Sequence, residues 1–242
     1  MISLNDFILE AIQRADIEKN LKFVKISDER FEDLFETIMD NGKNLGLEED
    51  ETIDNLALLK LSDKFEIRYE NKLLGIITYL LPDKLYKIVK KQIGGPVDRL
   101  TINCTLRTFL EWHYNNSVHK DERIFEDPKK DEDAVTYSTR LLKETAYICC
   151  WELFKEPKEQ LDINEISLIR VFFEKLKSEL KSNNAKYFFA HGKDSRITNL
   201  YIKLCNGVNS FKSFKNNSKI YKKYKEDSMS FDCHKAAVFV KI

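Results

Sequence analysis

The sequence predicts an α+β fold, and three observations support this class. Of the 242 residues, 43% are hydrophobic and 12% are aromatic, which is enough apolar material for a sizeable core. Only seven residues are glycine and four are proline, which disfavours repeat turns and many-stranded barrels. Segments with apolar residues at helical spacing are interspersed with short runs typical of strands. We therefore expect helices interleaved with strands rather than an all-helical or all-β chain.

The N-terminal third of the chain predicts two amphipathic helices and a hairpin. Capping-type residues, Ser3 and Asn5, precede an apolar stripe with helical spacing, and a second helical pattern stops at Asn41-Gly42. Two strand-like runs surround the turn Glu70-Asn71-Lys72, and Pro82 closes the second of them. The predicted elements are a helix over 3–17, a strand over 22–26, a helix over 27–42, a helical segment over 50–62 and a hairpin over 64–82.

In the remainder of the chain, the patterns predict helices and strands on both sides of a middle region whose secondary structure they do not determine. Residues 97–115 mix β-branched and helical patterns, so the secondary structure of residues 98–150 stays open. The apolar run 141–154 fits either a buried strand or the end of a helix. The charged stretch 119–133 is interpreted as an exposed loop. A long helix over 161–184 is predicted to face the core with Ile166, Ile169, Phe173, Leu176 and Leu180. Further predictions are helices over 83–91 and 194–204 and strands over 185–190 and 235–242.

The predicted helix over 194–204 carries a motif. Its sequence, DSRITNLYIKL, resembles N-x-x-A-x-x-L-Y-x-K-L, which is frequent in the helix after the fifth strand of the GCN5-related N-acetyltransferase (GNAT) family. Asp194 and Ile197 depart from the motif, and the residues that match it are Leu200, Tyr201, Lys203 and Leu204. The segment is also similar to part of a small internal virion protein of short-tailed phages that shares this fold.

The order of the predicted elements is similar to the GNAT order as well. The resemblance implies a GNAT-like mixed β-sheet flanked by helices. It further implies one domain over residues 1–242, with an N-terminal helix and an inserted segment near 84–145.

The resemblance also implies a catalytic residue and a cofactor-binding residue. In the GNAT family the matching tyrosine can protonate the leaving thiolate of coenzyme A, so Tyr201 is the implied general acid. The alternative interpretation is that Tyr201 is a half-buried helix residue that packs on the sheet. Family members that bind acetyl-CoA carry Q/R-x-x-G-x-G/A at the start of the long helix, where backbone amides cradle the pyrophosphate. The nearest segment here is QLDINE, residues 160–165, so Gln160 is the implied cofactor-binding residue.

That segment departs from the cofactor motif in two ways. Ile163 and Glu165 replace the small residues, and the acidic residues Glu159 and Asp162 add negative charge where a pyrophosphate would bind. Asp162 and Glu165 form a D-x-x-E pattern, in which the chain's own carboxylates cap the first-turn amides. We therefore expect no cofactor, and acetyl-CoA only if the chain is an acyltransferase after all.

Other candidate residues have weaker patterns. The four histidines, His113, His119, His191 and His234, lie in no metal-binding or nucleophile motif, so no metal site is predicted. Among them, His191 follows a predicted strand, where loops often carry chemistry. Six lysines alternate with aromatic residues over 211–225, a composition found on nucleic-acid-binding surfaces, but the remaining chain is not basic. Trp112 and Trp151 are interpreted as core or interface anchors.

Charge and cysteine content limit the compartment and the partners. Forty basic and forty acidic residues cancel, which disfavours nucleic acid or an anionic membrane as the main partner. Five cysteines, two of them adjacent at 149 and 150, fit a reduced compartment, and we expect a cytoplasmic protein, in the host cytoplasm or the virion if a phage encodes it. No secretory signal is recognised at the start, and no apolar stretch approaches the length of a membrane span.

The patterns taken together favour a non-catalytic protein with a GNAT-like fold, serving as a structural or interaction component of a phage particle. Its partners would be other proteins, in a ring or a larger assembly. The alternative is an acetyl-CoA-dependent N-acyltransferase. The cleft between the strands at 147–154 and 187–192, at the start of the long helix, distinguishes the two functions, because an enzyme needs this cleft open and a structural protein can fill it with side chains.

Overall fold

A computed structural model of the chain describes residues 4–40, 59–90, 124–154, 164–191, 195–209 and 237–242. Its helices are α1 (Leu4–Asn20), α2 (Asp28–Asp40), α3 (Pro82–Lys90), α4 (Ala134–Leu142), α5 (Glu165–Ser182) and α6 (Ser195–Cys205). Its strands are β1 (Leu21–Lys25), β2 (Asp63–Tyr69), β3 (Lys72–Leu80), β4 (Thr145–Leu153), β5 (Tyr187–His191), β6 (Val208–Asn209) and β7 (Ala237–Lys241).

The seven strands form one mixed sheet in the order β1-β2-β3-β4-β5-β7-β6. Neighbouring strands are antiparallel, with the exception of β4 and β5, which are parallel. The connection between these two strands runs through α5, as a parallel pair requires a crossover. The predicted α+β class is therefore confirmed, with helices flanking a mixed sheet. None of the described helices has the length and apolar content that crossing a bilayer requires.

The predicted hairpin is confirmed as β2 and β3. Tyr69 pairs with Lys72, so a two-residue turn, Glu70-Asn71, joins the strands. Glu70 has a φ of 52°, in the left-handed region that tight hairpin turns require. Alternation of apolar residues and turn chemistry were sufficient to locate this element, because both signals are local.

The apolar run 141–154 forms both the end of a helix and a buried strand, the two structures between which its pattern did not decide. The helix α4 ends at Leu142, and β4 begins at Thr145. The Thr145 hydroxyl donates to the Leu141 carbonyl at 2.6 Å, which joins the helix end to the start of the strand. A helix and a buried strand therefore follow each other here with a connection of two residues.

Both faces of the sheet are covered. The helices α1, α5 and α6 pack on one face, which we call the α5 face, around a core that includes Ile77, Phe172 and Val238. On the opposite face, which we call the α2 face, α3 and α4 cover Tyr147 and Phe189, and α2 covers Ile76. A sheet buried on both sides explains the near-continuous apolar composition of β3 and β4.

The long helix α5 confirms four of the five predicted core residues. Ile169, Phe173, Leu176 and Leu180 are buried. The prediction for Ile166 is wrong, because its side chain is 57% exposed. Ile166 lies in the first turn of the helix, where Ser167 and Leu168 take the buried positions.

The described part of 119–133, which begins at residue 124, is a mostly exposed loop as predicted, but one residue in it is buried. Phe125 is 5% exposed, and its ring lies 4.9 Å from that of Tyr187 and 5.3 Å from that of Phe239. The backbone N–H of Glu126 donates to the Tyr187 hydroxyl at 3.3 Å. A single aromatic residue among many charges therefore anchors this segment to the sheet, which composition alone did not indicate.

Candidate functional site

The candidate site lies where the two parallel strands separate. Pairing of β4 with β5 runs from Thr145 and Tyr187 to Ile148 and Ala190 and then ends. The strand β4 continues to Leu153 beyond the last pair, whereas β5 stops one residue later. Carboxyl ends of neighbouring parallel strands are a common location of ligand sites in sheets.

A β-bulge in β4 determines which side chains border this separation. Tyr79 pairs with Ile148 and Thr78 pairs with Cys150, so Cys149 is an extra residue on β4. The bulge shifts the alternation of side chains by one position. Trp151 therefore faces α5, whereas Cys149 and Cys150 both pack on the α2 face.

Trp151 belongs to an aromatic cluster, which we define as Trp151, Phe172, Phe173, Phe188 and Tyr201. The Trp151 ring stacks on Phe172 at 5.3 Å between centroids, with an angle of 25° between the planes. Its edge meets Phe173 at 5.6 Å and Tyr201 at 6.3 Å, and Tyr201 also contacts Phe188 of β5 at 6.1 Å. The aromatic cluster thus joins β4 to β5 through the two helices beside their separation.

Tyr201 lies inside this cluster and is only 1% exposed. Burial raises the pKa of its hydroxyl well above the usual value, and the nearby Cys205 contributes in the same direction. A hydrogen bond with Trp151 opposes part of this rise. The phenol is therefore protonated at neutral pH. The interpretation of Tyr201 as a packed residue agrees with its burial, which is more complete than the half-buried state expected.

The start of α5 has a different cap from the one predicted. Asn164 is the N-cap, and its side-chain oxygen accepts from the backbone N–H groups of Ile166 at 3.0 Å and Ser167 at 3.1 Å. The predicted pairing of Asp162 with Glu165 is wrong in that Asn164 occupies the capping position. Gln160 and Asp162 lie outside the described residues, so the position of Gln160 relative to Tyr201 is not described.

Comparison of the chain with protein-family models, with curated proteins and with solved structures finds no match.

His191 is the one predicted candidate histidine within the described residues. Its Nδ1 lies 3.5 Å from the Tyr147 hydroxyl, and its ring meets the edge of Phe189 at 4.8 Å. The buried Nε2 has no hydrogen-bond partner among the described residues. Burial lowers the pKa of His191 from 6.5 to about 4, so the ring is neutral at pH 7. His113, His119 and His234, Trp112 and the stretch 211–225 lie outside the described residues.

The pKa of His191 predicts an acid-dependent loss of stability. Because the folded state disfavours the imidazolium, the unfolded chain takes up this proton first as pH falls, and stability decreases from about pH 6.5 to about pH 4. The full shift corresponds to about 3 kcal/mol. We expect urea unfolding to show that wild type loses this stability between pH 7.5 and pH 4, whereas His191→Gln loses less over the same range. Equal losses in the two proteins would contradict the assignment.

Trp151 is the residue of this site whose contact with Tyr201 the sequence did not indicate. Its interpretation as a core or interface anchor is confirmed, since it packs on Phe172 and Phe173, but its contact with Tyr201 was not foreseen. No signal within β4 indicated this contact, because it depends on how β4 pairs with β3.

Proposed function

We propose that this protein is a non-catalytic structural or interaction component with a GNAT-like fold, and that its setting is a phage particle. The strand order supports the fold assignment. A sheet with β4 and β5 as the parallel pair, followed by a helix that bears Leu200, Tyr201 and Lys203, fits the arrangement that the motif resemblance implies. The heavy use of lysine, asparagine and isoleucine supports a source with an AT-rich genome.

The enclosure of Tyr201 is the observation that carries the non-catalytic assignment. A general acid must come within hydrogen-bond distance of the atom that it protonates. The Tyr201 side chain is almost fully buried and contacts aromatic rings from β4, α5 and β5. A thiolate could reach its hydroxyl only if Trp151 or its neighbours moved out of the aromatic cluster. Close packing of this kind is a reason for the motif to persist without chemistry.

The alternative is an acetyl-CoA-dependent N-acyltransferase, and one observation favours it. The separation of β4 from β5 after Ile148 and Ala190 leaves the end of β4 unpaired on that side among the described residues. Such a separation is what a pantetheine arm would need if it bound between the strands. Under this alternative, Tyr201 would act as the general acid and Gln160 would contact the cofactor.

A thermal-shift titration with acetyl-CoA distinguishes the two functions. Ligand bound only by the folded state stabilises it by about 2.7 kcal/mol at 100 times its dissociation constant, so binding would raise the melting temperature. We expect millimolar acetyl-CoA to leave the melting temperature of wild type unchanged. A saturable rise that Tyr201→Phe leaves intact but Gln160→Ala reduces would overturn the proposal and locate the cofactor site. As a matched surface control on α6, Lys203→Ala should behave as wild type, because Lys203 is exposed.

The assembly part of the proposal is tested by point substitutions in the charged segment 119–133 rather than by deleting that segment. Removing residues 121–132 would remove Phe125, which is part of the core. Such a deletion would destabilise the fold whether or not the segment contacts a partner. Lys129 and Lys130 lie in the same segment and are exposed. We expect Lys129→Glu with Lys130→Glu to leave the melting temperature within a few degrees of wild type and to reduce incorporation into the complex, measured by light scattering after size-exclusion chromatography. A wild type that is monomeric at every concentration would contradict assembly.

A further inference from the structure

The strand β1 forms an edge of the sheet, and its outer side carries backbone groups that no described strand pairs with. β2 is the one neighbour of β1 among the described strands. The backbone N–H of Ile26 donates to the Lys64 carbonyl at 3.0 Å, and that of Glu70 donates to the Asn20 carbonyl at 3.1 Å. Because every second residue of an antiparallel strand directs its N–H and C=O groups to the same side, the even-numbered residues of β1 face β2. The odd-numbered residues 21, 23 and 25 therefore direct these groups away from the sheet.

Within the described residues, the helices beside β1 leave its outer side open. α1 lies over β2 on the α5 face, where the Tyr69 hydroxyl donates to the Asp16 carboxylate. α2 lies over β2 and β3 on the α2 face, where the Nε of Arg30 donates to Glu66 at 2.9 Å. A further strand can therefore pair with β1 in the plane of the sheet, as unpaired edge strands allow.

Exposure determines which outward-facing residues of β1 can accept a partner strand. Leu21 has no exposed surface, so its backbone is closed to a partner. Phe23 is partly exposed and Lys25 is exposed, so their N–H and C=O groups are accessible. Val24, which lies between them and points to the opposite face of the sheet, is 40% exposed. A strand that pairs with Phe23 and Lys25 would also cover this apolar side chain.

We propose that β1 pairs with β1 of a second copy of this chain, antiparallel, with the two-fold axis at Val24. In such a pair, outward-facing residues must lie opposite outward-facing residues. Registers centred on Lys22 or Phe23 need Leu21, whose backbone is closed. A register centred on Lys25 places that residue opposite its own copy, where like charges are destabilising. The register centred on Val24 pairs Phe23 of each copy with Lys25 of the other, and so uses the accessible backbone groups of both copies.

The side chains of β1 agree with this register. Val24 meets its own copy in a non-hydrogen-bonded pair, where opposite side chains lie closest. Both lysines of the strand lie opposite apolar side chains of the second copy, those of Ile26 and Phe23. The ammonium group of Lys25 is also neutralised by Asp63, at 2.9 Å. The result is an isologous contact that joins two sheets into one, and it rests on the assembly part of the proposed function.

Sedimentation velocity over a range of protein concentrations tests this contact. We expect wild type to self-associate, and Val24→Lys and Val24→Glu each to weaken the association by at least about tenfold, because like charges then meet at the axis. An equimolar mixture of these two variants should associate again, since opposite charges then face each other. The matched control is Val135→Lys on α4, a valine that is 55% exposed, and it should associate as wild type does. Each variant should keep a melting temperature within a few degrees of wild type.

The outcomes separate this contact from the wider proposal. Wild type that stays monomeric up to the highest concentration would overturn both the contact and the assembly part of the proposed function. Association that Val24→Lys leaves unchanged, or a mixture of the two variants that does not associate, would overturn the β1 contact alone.

Hydrogen exchange on wild type provides a second measurement that needs no variant. We expect exchange of the Phe23 and Lys25 amides to slow by at least about tenfold between dilute and concentrated protein, because pairing of β1 protects the N–H groups that face outward. Association without this protection would mean that another surface forms the contact. Protection that appears only when cell extract is added would assign the edge to a strand of another protein. Either result would overturn the proposal.

Discussion

Replacing Gly75 with alanine is expected to lower the free energy of unfolding by about 4 kcal/mol or more. A Cβ atom at this position would lie 2.0 Å from the Glu152 carbonyl oxygen and 3.0 Å from the Cα of Leu153. Both atoms belong to the backbone of β4, so neither can rotate away. Relief of the clash requires β3 and β4 to move apart in the middle of the sheet, at the cost of their ladder hydrogen bonds. Urea unfolding followed by circular dichroism measures the effect.

Gly207→Ala is the matched control for this substitution. There the nearest atom to an added Cβ is the Cγ1 of Val238, at 2.6 Å, which belongs to a side chain, although the Tyr201 carbonyl oxygen lies at 3.0 Å. Part of this clash can be relieved by side-chain adjustment, so the loss should be about 1–3 kcal/mol. Equal losses in the free energy of unfolding for the two alanine variants would contradict the close approach of β3 and β4 at Gly75. A loss of less than about 1 kcal/mol for Gly75→Ala would contradict it as well.

Replacing Phe172 with alanine is expected to lower the free energy of unfolding by about 3–5 kcal/mol, because it removes a fully buried ring from the aromatic cluster. The Phe172 side chain is fully buried and contacts Trp151 at 5.3 Å, Phe173 at 5.1 Å and Phe23 at 5.5 Å between ring centroids. The cavity would also loosen the packing around Trp151, so tryptophan fluorescence should shift to the red in the folded variant. Both quantities come from one urea titration with fluorescence detection.

Two control substitutions on α5 test whether the expected loss comes from buried packing at Phe172. Phe172→Leu keeps most of the apolar volume and should cost less than half of the alanine effect. Ile166→Ala removes a side chain that is 57% exposed and should change stability by no more than about 0.5 kcal/mol. Because alanine is a better helix former than isoleucine, an Ile166→Ala loss as large as that of Phe172→Ala would have to come from packing, and it would contradict the special importance of the aromatic cluster.

Local patterns were sufficient to predict most of the described helices and strands. The hairpin of β2 and β3 follows from alternation of side chains and from the turn at Glu70-Asn71, both contained within a few residues. The helix α5 follows from apolar residues at helical spacing, and the structure differs from the prediction at Ile166. The motif LYIKL similarly located α6 and identified Tyr201 as the residue of interest.

The functional geometry depends on contacts between residues far apart in the chain. The bulge at Cys149 is set by how β4 pairs with β3, and the core position of Phe125 is set by Tyr187 and Phe239. No pattern within either segment encodes the register of a distant strand.

The sequence by itself therefore determined most of the described helices and strands, the α+β class and the presence of a tyrosine in a motif that resembles a catalytic one. Only the tertiary structure decided what surrounds that tyrosine. Trp151 reaches Tyr201 because the bulge turns it toward α5, and Phe173 and Phe188 approach from two other elements. The resulting burial removes water from the hydroxyl and raises its pKa, which is a property of the assembled core and not of any single segment.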